Sequence, residues 1–129
     1  MDLSINIVAV IVAAVAAFAV GAVWYGPLFG KKWQKIVGLS DKQLQDGQAK
    51  VFGGAFVLTF IMAVALAMFI GDNDVVYGLC AGLAAGVGIV ATAFGVNYLF
   101  EHRSLDFYFV NAGYNVVTLA IIGAILGAF

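Results

Sequence analysis

Charge is scarce in this chain: Asp, Glu, Lys and Arg make up 10% of 129 residues, and only six are basic. Six cations are too few for the basic footprint that nucleic acid demands, so no nucleic-acid partner is expected. Cysteine is limited to Cys80, which leaves no intrachain disulfide and no cysteine metal cluster. Histidine is limited to His102, and no serine or cysteine nucleophile stands with a base. Active sites need several convergent groups, so catalytic residues, a metal site and a cofactor are not predicted, and an enzyme is not expected. Proline occurs once, as Pro27.

Apolar residues fill the space that charge leaves. They are 64% of the chain, and four runs carry no charge at all: Leu3 to Gly30, Val51 to Gly71, Val75 to Phe100 and Phe107 to Phe129. A helix rises about 1.5 Å per residue, so about 20 residues cross a hydrocarbon core of about 30 Å. Each run is long enough. The sequence therefore predicts one all-α integral membrane domain over residues 1–129, a four-helix transmembrane bundle with spans near 5–24, 51–70, 75–100 and 107–129. The first run is too long for a typical signal-peptide core and lacks a basic flank, so it is read as a retained helix.

The basic residues set the orientation. Lys31, Lys32, Lys35, Lys42 and Lys50 fall in the first connection and Arg103 in the third, whereas Asp2, Asp72 and Asp74 occupy the opposite side. Basic connections stay cytoplasmic, which predicts both termini outside.

The first span ends in Trp24-Tyr25-Gly26-Pro27-Leu28-Phe29-Gly30. Trp24, Tyr25 and Trp33 suit the headgroup level as interfacial anchors. Gly-Pro is expected to break the helix. Beyond it, Phe29, Trp33, Ile36 and Val37 share a face, which predicts a short helix on the cytoplasmic surface with its lysines near anionic lipid. Ser40 and Gln43 have the spacing of a capping box, and Ser104 stands where it can cap the fourth helix. A weak internal alignment sets Val23-Trp24-Tyr25 against Val96-Asn97-Tyr98, as in a parallel repeat of two helical hairpins.

Two patterns invite a functional reading. Gly78, Gly82 and Gly86 recur every fourth residue on the third span, a stripe for close helix packing either within one chain or between copies. Tyr108, Asn111, Asn115 and Thr118 are spaced 3, 4 and 3 on the fourth, with Tyr114 beside them. A buried amide in hydrocarbon is costly unless bonded, so this face meets either other helices or a polar groove. Asn97 and Glu101, one turn apart, join the charges His102, Arg103 and Asp106 to form a polar inner mouth. No acidic or basic residue lies deep in a span, which disfavours proton coupling. The prediction is a homo-oligomeric protein that binds or passively conducts a small solute, ion or lipid through that groove; the alternative is a structural or accessory subunit with a membrane-protein partner.

The segments Trp24-Tyr25-Gly26-Pro27-Leu28-Phe29-Gly30-Lys31-Lys32-Trp33, Gly38-Leu39-Ser40, Asn97 to Ser104 and Asn111-Ala112-Gly113-Tyr114 resemble the small bacterial membrane family catalogued as domain of unknown function 1761. The resemblance covers nearly the whole chain. It implies a four-helix protein of the bacterial inner membrane, without an established activity and without catalytic residues to transfer.

Overall fold

Four apolar helical segments run the length of the molecule: Ile7–Leu28, Gln48–Ile70, Val75–Phe100 and Leu105–Ala128. Each is long and apolar enough to cross a membrane. The computed structural model describes residues 5–129, so Asp2, on which part of the charge asymmetry rests, lies outside the described residues.

The first span opens with α1 (Ile7–Val23), whose N-cap Asn6 accepts from the Ala9 amide. It does not stop at Gly26-Pro27 as the sequence suggests. It widens into a π-helical turn over Trp24–Leu28 with Pro27 inside it, closed by the Phe29 amide donating to the Trp24 carbonyl at 2.8 Å. Proline removes the donor that an ordinary turn would use. The wider i→i+5 spacing carries the chain past that gap, so the helix deforms instead of ending.

The short α2 (Gly30–Val37) comes next, with Trp33, Ile36 and Val37 partly buried and Lys31, Lys32 and Lys35 exposed. Ser40 and Gln43 form the expected capping box at the start of α3 (Asp41–Gln45). The second span is α4 (Gln48–Ile70), three residues longer at its start than the charge pattern suggests. Asp74 caps the third span by accepting from the Tyr77 amide at 2.9 Å. That span is compound: α5 (Val75–Ala85), a π-helical segment Gly86–Ala91, then α6 (Thr92–Phe100). The fourth, α7 (Leu105–Ala128), is capped by Ser104, whose hydroxyl oxygen accepts from the Phe107 amide.

The core sits where α1, α4 and α7 meet. Val10, Ile70 and Ile122 are its largest fully buried side chains, set among Ala9, Ala13, Ala17 and Ala63. Small residues on α1 let the backbones come together, because packing replaces the hydrophobic effect inside lipid. The closest approach is between α5 and α7. A methyl group on Gly78 would strike the Gly123 carbonyl, one on Gly82 the Leu119 carbonyl, and one on Gly86 the Val116 Cα at 2.9 Å. The stripe of Gly78, Gly82 and Gly86 is thus consumed within a single chain.

Candidate functional site

The π-helical end of the first span places Trp24 and Tyr25 against α7. The Trp24 indole donates to the Val110 carbonyl at 2.8 Å. Its ring lies over Gly113, where a Cβ would come within 3.0 Å of it. Tyr25 packs edge-on against Trp33 and Tyr114, with ring centroids 5.6 and 5.1 Å away. An ion pair between Lys32 and Asp106 at 3.6 Å adds a tie between α2 and α7. Both side chains are more than half exposed, so the tie contributes little energy.

Asn111 is the hub. The Tyr25 hydroxyl donates to its carbonyl oxygen at 2.7 Å, and its amide donates to the Tyr98 hydroxyl oxygen at 3.0 Å. One asparagine therefore joins the first span to the third through the fourth. Tyr25 and Tyr98 are the residues that the internal alignment pairs, and they clasp the same amide from either side. The Tyr98 hydroxyl proton is left over at the end of this relay, with no acceptor among the described residues.

A groove opens beside the clasp. Glycine contact holds α5 to α7, whereas beyond the π-helical segment α6 touches α7 sparingly, chiefly through Gly95 and Tyr98. A π turn inserts a residue into the helical ladder and redirects the helix beyond it. The Thr92 hydroxyl shares its proton between the carbonyls of Gly88 and Ile89, and the Tyr108 hydroxyl donates to the Ala91 carbonyl at 3.1 Å. The resulting cavity is about 350 Å³. Gly95, Leu99 and Leu105 give it apolar walls, and Tyr98, Tyr108, Arg103 and Ser104 give it polar ones. Arg103 stacks over Phe107 at 5.2 Å and reaches Glu101 at 3.3 Å.

The sequence-predicted residues separate on this frame. Tyr108 and Asn111 bond across helices, but Asn115 donates only to the Asn111 backbone carbonyl of its own helix, at 2.9 Å. Thr118 is buried with its hydroxyl unpartnered among the described residues. Tyr114 packs on Tyr25 rather than lining an opening. Asn97 is exposed and takes no part in the clasp. Neighbouring positions on a helix point about 100° apart, and Tyr98, not Asn97, is the one turned to Asn111. Glu101, His102, Arg103 and Asp106 are all exposed at the connection. His102 adopts φ 57°, the left-handed position of a Schellman turn. There the Arg103 amide donates to the Tyr98 carbonyl and the His102 amide to that of Leu99. Among the described residues, no cluster of His, Cys, Asp and Glu could hold a metal. Sequence reasoning missed Gly95, Tyr98, Leu99, Ser104 and Leu105 as site residues. For Tyr98, the alignment with Tyr25 was the signal.

These features define a class: a small four-helix polytopic membrane protein, tied at one end by an aromatic and amide clasp. Within that class, the chain belongs to the family described as protein of unknown function (DUF1761), whose model matches residues 8–127. No curated protein and no solved structure matches it.

Proposed function

We propose that this protein binds a small amphiphilic ligand in the groove between α6 and α7, at the cytoplasmic face of the bacterial inner membrane. The observation that carries the proposal is the cavity of about 350 Å³ where α6 and α7 touch only sparingly, with apolar walls and a cation among its lining residues. Binding sites between helices of a bundle have this mixed lining. The charge bias of the basic connections supports an inner-side position for this end. Conduction through a single chain has little support, because Val10, Ile70 and Ile122 fill its centre. No chemistry is assigned to His102 or Glu101, which lie in an exposed turn. Self-association, if the ligand requires it, must use a face other than the glycine stripe.

A photo-crosslinking residue at Leu99 tests this directly. The protein, purified from membranes, should carry one defined adduct there, and Gly95→Trp, which fills the groove, should remove it. An identical adduct pattern from a probe at Phe69, on the exposed flank of α4, would mean bulk lipid contact and would overturn the proposal.

A second reading, a structural or accessory subunit, draws on the closed state of Asn111. Its amide oxygen and nitrogen are both engaged by tyrosines, as expected of polar glue between helices. Mild crosslinking in native membranes followed by pull-down should then recover a stable partner protein, and recovery of the chain alone would refute it.

A further inference from the structure

We infer that the ligand of this groove is an anionic phospholipid of the leaflet at the basic end, held by its phosphate. The inference rests on the groove being a binding site. It comes from counting what each polar group on the wall still has to offer. Arg103 is a donor only. The Ser104 oxygen already accepts from the Phe107 amide, which leaves its hydroxyl proton free. The Tyr98 oxygen already accepts from Asn111, which likewise leaves its proton. Only Tyr108 has spent its proton, on the Ala91 carbonyl, and keeps an oxygen. Three of the lining residues, one of them a cation, thus keep a donor, and one keeps only a hydroxyl acceptor.

Such a wall suits a group rich in acceptor oxygens and negatively charged, and guanidinium meets phosphate in a planar, two-pronged geometry. The competing partner is weak. Glu101 pairs with Arg103 at 3.3 Å with both side chains about half exposed, so a phosphate can displace it at little cost. Stacking on Phe107 keeps the guanidinium in place meanwhile. The remaining wall, Gly95, Leu99 and Leu105, is apolar. Val96, Phe100 and Phe109 continue an exposed apolar surface on the same two helices. A free phosphate or a headgroup alone would leave that surface unused. An intact lipid matches both halves, and an anionic leaflet supplies it where the other five basic residues also lie.

The test is native mass spectrometry of the full chain, released from bilayers containing equal phosphatidylglycerol and phosphatidylcholine. The expected result is retention of phosphatidylglycerol over phosphatidylcholine, reduced about tenfold by Arg103→Gln. Lys35→Gln, which removes a charge of the same belt outside the groove, should leave it unchanged. Added glycerol phosphate should not compete. Equal retention of both lipids, or no loss in Arg103→Gln, would overturn the assignment, and competition by glycerol phosphate would make the ligand a soluble anion instead. Gly95→Trp separates the two levels: if it removes every adduct while lipid choice is indifferent, the groove stands and the ligand class falls. If it removes none, the groove itself is not the site. A thermal melt of each variant identifies any that merely fails to fold.

Discussion

Asn111 and Asn115 look interchangeable as letters, but their partners differ. Asn111 bonds Tyr25 and Tyr98 on two other spans, whereas Asn115 bonds only its own helix. Hydrogen bonds between membrane helices average about 0.6 kcal/mol each, so Asn111→Leu should cost about 1–2 kcal/mol and Asn115→Leu less than half of that. Thermal unfolding in detergent ranks the two, and equal losses would contradict the clasp. His102 offers a test of the opposite sign. It holds the left-handed position of a Schellman turn where glycine is the usual residue. His102→Gly should leave the fold intact and raise stability by up to about 1 kcal/mol, while His102→Val should lower it. A fall in melting temperature for the glycine variant would mean that the imidazole has a structural role not visible at this turn.

Among the elements, the third span holds most of the information. Its first half is held to α7 by glycines, and its second half is set apart by a π-helical segment. Gly82→Ala should cost about 1–3 kcal/mol, because the methyl would meet backbone rather than a side chain that can move. Gly54→Ala on α4, where nothing lies within 4 Å, should be neutral or stabilising by up to about 1 kcal/mol. Comparable losses for the two would contradict the α5–α7 contact. Inserting one alanine after Ala93, inside ordinary helix, should turn the rest of α6 by about 100°. Tyr98 would then leave Asn111, and the adduct at Leu99 should disappear while the protein stays folded. Much of this element was legible in the sequence. The absence of charge from 75–100 marked its length, and Gly78, Gly82 and Gly86 marked its buried face. The π-helical segment was not legible, because Gly86 to Ala91 reads as ordinary apolar helix and the widening depends on how α7 packs. The same blindness explains why Gly26-Pro27 read as a break: proline forbids one hydrogen bond, but only packing decides whether the helix stops or widens. Polarity points to Asn97 and its neighbour one turn on, Glu101, but the face that meets α7 carries Tyr98.

For the whole molecule, the distribution of charge carries an expectation of which way it sits. All six basic residues belong to the two connections at one end or their borders. A reporter fused after Phe129 should therefore be active outside the cytoplasm, and activity only inside would reverse the orientation. The groove, the clasp and the surface helix α2 lie at that same end, so the side of the membrane and the site are linked. The number of spans and the capping at Ser40 and Ser104 followed from composition and local chemistry. The groove did not, since it is a gap between two helices that no single stretch of residues describes. A high-resolution map of the protein in a lipid nanodisc examines that gap most directly. Extended density should enter the crease between Gly95 and Leu105 and end in a headgroup at Arg103. A map in which α6 lies flat against α7, with the crease closed and empty, would contradict it.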